Sequence, residues 1–154
     1  MLPITLDTDV VVERLVFETW SIEIPLHFAE EFVEDGSYWH AWDECRSVSL
    51  TSMLLTDQGQ PVPAQLIVKE LRPPFGTPID DLPDGLLGWG AIGPAIQPAP
   101  ASRVLCGCLA VDGRVLIVTI TSDDLQWARG VWRSVRSWEP WPAFALRATE
   151  ARPN

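Results

Sequence analysis

Cys106 and Cys108 stand two residues apart, and with Cys45 and His40 they offer the thiolate and imidazole ligands that a tetrahedral zinc site uses. Their spacing matches no zinc ribbon, and thiols set among Val, Ile and Leu behave as small buried hydrophobes, so no metal is expected. A nucleophilic cysteine needs a base or a dipole beside it. Only His27 and His40 can supply the imidazole, and both read as surface residues of a strand or a loop. Gly88, Gly90 and Gly93 repeat the spacing of a dinucleotide fingerprint. Pro94, Pro98 and Pro100 follow at once, so the long helix that presents its amides to a pyrophosphate cannot form, and no cofactor is expected. His27 is followed by Glu30 and Glu31, and the second histidine of a zinc-protease helix is missing. Ser47, Ser49 and Thr51 make a hydroxyl row with no nucleophile elbow and no base. A nucleophile, a base and an orienting group cannot be named together, which leaves a cysteine- or carboxylate-dependent hydrolase as the third reading of function.

The distribution of charge is more informative. The formal net charge is −10, and within residues 1 to 45 eleven acids stand against Arg14 alone. From Asp123 onward four acids face five arginines, so one end of the chain is anionic and the other mildly cationic. The acids fit no EF-hand loop. Beside them stand several of the chain's eight tryptophans, a residue enriched at binding hot spots. Glu30, Glu31, Glu34, Asp35, Trp39, Trp42, Asp43 and Glu44 are therefore the expected contact region for a basic protein partner. Alternation places Tyr38, His40 and Trp42 on one face of a strand and Trp39, Ala41 and Asp43 on the other, so one of these faces must be covered. A small-ligand site in a Trp-lined cavity between a sheet and the segment 73–100 is the second reading of function.

The elements that would position these residues follow from length and pattern. At 154 residues and 17.1 kDa, with 47% hydrophobic and 21% charged residues, the chain fits one globular domain spanning residues 1–154. An isoelectric point near 4.5 argues against nucleic acid or an anionic membrane as partner. Acids stand where a secretory leader needs basic residues, and the charge-free span 85–102 is broken by prolines, so a cytoplasmic, non-membrane protein is expected. The Ala, Arg, Pro and Trp usage points to a GC-rich, bacterial source. Complementary charged ends also allow self-association.

Two apolar runs flanking Asp112-Gly113 predict a tight hairpin over Arg103 to Thr121, apolar on both faces and so covered on both. Thr121-Ser122-Asp123-Asp124 then opens a helix running to about Ser137, with Leu125, Ala128, Val131, Trp132, Val135 and Trp138 in one stripe. Strands are expected at Val10 to Phe17, Trp20 to Pro25, Tyr38 to Asp43 and Arg46 to Leu55, and helices at Leu26 to Val33 and 64–71. Residues 73–100 hold seven of the fourteen prolines and read as a long loop with one short strand at Leu86 to Trp89; the tail 139–154 reads as loosely packed. The class is thus α+β, mainly an antiparallel sheet with helices packed on it.

This order of strands, helical segment, long connection, hairpin and final Trp-bearing helix, over residues 10 to 138, resembles the PsbP-like fold, an α/β/α sandwich around an antiparallel sheet. The resemblance is topological and carries over no functional residue. That fold occurs in photosystem accessory proteins and small binding or assembly factors, so it implies an interaction module: an adaptor, chaperone-like or immunity-type protein acting without catalysis.

Overall fold

The computed structural model describes residues 10–33, 36–71, 76–94 and 103–138. In chain order the elements are β1 (Val11–Val16), β2 (Trp20–Pro25), β3 (Ala29–Phe32), β4 (Tyr38–Trp42), β5 (Ser47–Leu54), the two-residue strands β6 (Thr56–Asp57) and β7 (Gln60–Pro61), and α1 (Ala64–Glu70). There follow β8 (Thr77–Ile79), β9 (Leu87–Pro94), β10 (Arg103–Val111), β11 (Arg114–Thr121), α2 (Leu125–Arg133) and β12 (Arg136–Ser137). Seven strands form one antiparallel sheet in the order β3-β4-β5-β11-β10-β9-β8, and β1-β2-β12 form a second, smaller sheet.

The hairpin β10–β11 is the centre of the large sheet, with Val111 facing Arg114 across the turn. Leu105, Leu109, Leu116, Val118 and Ile120 are buried on its inner face, where β2 and α2 cover it with Trp20, Ile22, Ile24, Val131 and Trp132. On the outer face α1 covers one end, burying Ala64 and Ile67 against Cys108, Ala110 and Val115. Of the turn pair only Gly113 takes positive φ, at 78°. Asp112 instead accepts the first amide of α1, from Ala64, at 2.9 Å, and so pins that helix to the hairpin.

Three expectations are corrected. Leu26 to Val33 is not a helix, because Ala29–Phe32 pairs with β4; Phe28 is buried as the pattern implies, but Phe32 is 55% exposed. Two phenylalanines four apart mimic a helical face, and pairing with a neighbour overrides so short a signal. The last helix begins later and ends earlier than expected: Asp124, not Thr121 or Ser122, caps it by accepting from the Trp127 amide, and it stops at Arg133 so that Arg136–Ser137 can pair with β2. Val135 and Trp138 therefore lie beyond it, the first buried and the second exposed.

The described part of the segment 73–100, residues 76–94, is no long loop either, since it holds β8 and all eight residues of β9. Gly88 and Gly90 serve close approach. A Cβ on Gly90 would lie 3.0 Å from the Ile79 side chain and 3.1 Å from the Trp132 ring. The next described element after β9 is the antiparallel strand β10, where a dinucleotide site would require a helix. The helix expected over 64–71 is present as α1. The tail 139–154 lies outside the described residues.

Candidate functional site

Strand register distributes the expected contact residues among three environments. Trp39 points inward and is wholly buried beside Val48 and Leu50, so it belongs to the core. Trp42 lies on the outer face, half-buried, with its ring stacked on His40 at 4.8 Å. Glu30 and Glu31 are exposed on β3, the edge of the large sheet, and Glu44 is exposed in the β4–β5 turn. Glu34 and Asp35 lie outside the described residues.

Asp43 acts as an internal tie. Its Oδ1 accepts the backbone amides of Cys45 and Arg46 at 2.9 and 2.8 Å, and its Oδ2 accepts Arg46 Nη2 at 2.8 Å with His27 Nε2 3.1 Å away. The Arg46 guanidinium in turn lies over the Phe28 ring and the Trp127 ring, 5.3 and 4.6 Å from their centroids, which joins the β4–β5 turn to α2. Partial burial alone would raise the Asp43 carboxyl, but the hydrogen bonds from Arg46, Cys45 and His27 outweigh it and hold the group well below the usual carboxylate range. Its stabilising effect is therefore complete at neutral pH and declines as pH falls below the unfolded-state value of about 3.9. Asp43→Asn is expected to cost about 2 kcal/mol at pH 7, with the difference from the parent shrinking by pH 3, as read from urea unfolding at both pH values. An equal difference at both would show that the carboxylate charge is not what matters.

The outer face holds the residues that sequence offered for catalysis. Register aligns Glu31, His40, Ser49, Thr119 and Cys106 in one row across five strands. Burial lowers the His40 pKa, with Glu31 working against the shift. Burial also raises the Cys106 thiol, in part offset by Thr119, and pushes Cys108 up to about 11. Thiols held protonated are poor nucleophiles. His40 and Cys106 are separated by three strand spacings, roughly 14 Å, so they cannot act as a pair. Ser49 Oγ accepts from Tyr38 Oη at 3.0 Å. Among the described residues no group of three metal-ligating side chains comes together.

What the fold does assemble is an acidic and apolar flank on β1, β2 and β3. Val11, Glu13 and Leu15 point outward from β1, with Val11 52% and Leu15 63% exposed. Glu13 stands directly opposite Glu23 on β2, a like-charge cross-strand pair that opposes folding. Ser21 Oγ, which receives Trp138 Nε1 at 2.8 Å, reaches Glu13 Oε2 at 3.2 Å. The flank continues to the edge of the large sheet, where Arg14 Nε bonds Glu30 Oε2 at 2.9 Å and Phe17 meets Phe32 edge-on at 6.1 Å. Phe17 and Glu18 hold that turn at φ of 59° and 65°, costly for residues with a Cβ. The sequence Val-Val-Glu-Arg-Leu-Val does not alternate, so the outward placing of Val11 and Leu15 carried no local signal and depended on which face the second sheet buries.

A seven-stranded antiparallel sheet with a small sheet and a helix on one face and a short helix on the other is the PsbP-like fold. Among solved structures, that of cyanobacterial PsbP (CyanoP) from Synechocystis sp. PCC 6803 is similar, with a TM-score of 0.54 over 90% of this chain and 98% of that one. The two are 8% identical, so the likeness is one of fold. No family model matches the chain, and no curated protein matches its sequence. No helix among the described residues is long and apolar enough to cross a membrane.

Proposed function

We propose that this protein is a non-catalytic binding module that docks a basic, apolar-bearing segment of a partner protein along the flank of β1, β2 and β3. The observation that carries the reading is the Glu13–Glu23 pair set between exposed Val11 and Leu15. Two carboxylates facing each other cost stability in the free protein, and a cation laid between them turns that cost into affinity. Phe32 and the outward backbone of edge strand β3 extend the surface in a form suited to an added strand. Trp39 and Asp43 have no part in it, the first lying in the core and the second tied to Arg46. The three cysteines are free thiols, which supports a reducing compartment such as the cytoplasm. Of the arginines beyond Asp123, the three described bond within the chain, Arg129 and Arg133 to Asp81 and Arg136 to the Arg133 and Val135 carbonyls, rather than to the acidic flank.

A fluorescent peptide of alternating Lys and Val, titrated at low and at physiological salt and read by anisotropy, tests the reading. Binding should weaken with salt, and Glu13→Gln with Glu23→Gln should weaken it about tenfold, as expected for two exposed ion pairs. Glu23→Gln alone should raise stability by about 0.5 kcal/mol, because it removes the repulsion from Glu13. Affinity and salt dependence unchanged by the double substitution would sink the proposal.

A further inference from the structure

A cleft of about 470 Å³ lies between the inner face of the β8–β9–β10 end of the large sheet and the first turns of α2, away from the acidic flank. Its origin is visible in the register. Gly90 faces Gly107 on the inner face, and there Trp132 of α2 fills the space above both. Two and four residues further along β9, Ile92 and Pro94 point to the same face opposite Leu105 and Arg103, and over them stands the start of α2 with Leu125. The cleft opens to solvent, and its volume falls within the size range of small-molecule sites.

The lining has two parts. Ile79, Ile92, Pro94 and Leu125 make an apolar wall, while Arg103 and Arg129 bring two guanidinium groups and no described residue of the lining is a carboxylate. Arg129 reaches Asp81 only at 3.7 Å, and Asp81 is shared with Arg133 at 3.3 Å, so one carboxylate outside the cleft answers two cations. Asp123 and Asp124 line the adjoining shallow hollow beside Arg103; Asp123 has a partner of its own, and Asp124 is committed to the Trp127 amide. We propose that this cleft binds a small apolar monocarboxylate, with the carboxylate between Arg103 and Arg129 and the hydrocarbon body against Ile79, Ile92, Pro94 and Leu125. Guanidinium groups suit a carboxylate through paired N–H donors, and the apolar wall rewards a body without further polar groups.

Phenylacetate serves as the probe, followed by amide chemical shifts of the intact labelled protein, with phenylacetamide and phenethylamine as neutral and cationic isosteres. Phenylacetate should give saturable shifts centred on Thr77, Ile92, Arg103, Leu125 and Arg129. Arg103→Gln with Arg129→Gln should weaken it about tenfold while the rest of the spectrum stays in place, showing that the fold is kept. The inference is overturned by no saturable shift up to about 10 mM, by equal binding of the amide or the amine, or by arginine variants that bind as the parent does.

Discussion

Gly107→Ala is expected to destabilise the protein by about 3 kcal/mol, a typical upper value for forcing an extra carbon into a filled core. Gly107 sits on the inner face of β10, and a Cβ there would run into the six-membered ring of Trp132 and lie 2.8 Å from the Trp89 carbonyl oxygen. Neither neighbour can yield cheaply. The carbonyl belongs to β9, which is paired with β10 along eight residues. Trp132 is wholly buried, and its Nε1 donates to the Asp81 carbonyl at 2.7 Å, so swinging the ring away leaves a buried donor without its acceptor. The midpoint of thermal unfolding should fall by about 10 °C for a chain of this size, measured by calorimetry beside the parent. A variant that melts with the parent would mean that Trp132 does not rest on Gly107.

The same contact explains why one part of the fold was legible in the sequence and another was not. Asp112-Gly113 between two apolar runs announced the β10–β11 hairpin, because turn chemistry and alternation act over a few residues. The glycines of β9 misled for the opposite reason. A glycine such as Gly90, which admits Trp132 from a helix far along the chain, has the same local look as a glycine that ends a strand, and the prolines around it reinforced the reading of a loop. β3 failed likewise, since four exposed residues at a sheet edge carry no pattern until β4 is beside them. The site divides in the same way. The concentration of acids was plain from counting, and alternation correctly separated Tyr38, His40 and Trp42 from Trp39 and Ala41. Which of those two faces lies in the core, and that Asp43 is bonded to Arg46 and not offered to solvent, depended on how β1, β2 and α2 cover the sheet.

Trp132→Ala should be the most damaging single change, costing about 4 kcal/mol, within the range measured for truncating a buried tryptophan. The ring lies against Gly90 and Gly107 and fixes the height at which α2 sits on the sheet. Its removal opens a cavity that two glycines cannot fill, and it strands the Asp81 carbonyl, whose side chain also anchors Arg129 and Arg133 of the same helix. Urea unfolding should show the midpoint shifted to much lower denaturant with a similar slope, because the folded state keeps its extent while losing stability. Trp132→Phe retains most of the ring but not the indole N–H, so it should lie between parent and alanine. The decisive result is the combination. In a Trp132→Ala background the clash with the ring is gone and only the Trp89 carbonyl oxygen still opposes the added methyl, so the cost of Gly107→Ala should fall from about 3 to about 1 kcal/mol, a coupling far above the few tenths expected of independent sites. Simple additivity of the two losses would show that glycine and tryptophan are each needed for separate reasons, and the account of how α2 is seated would fail with it.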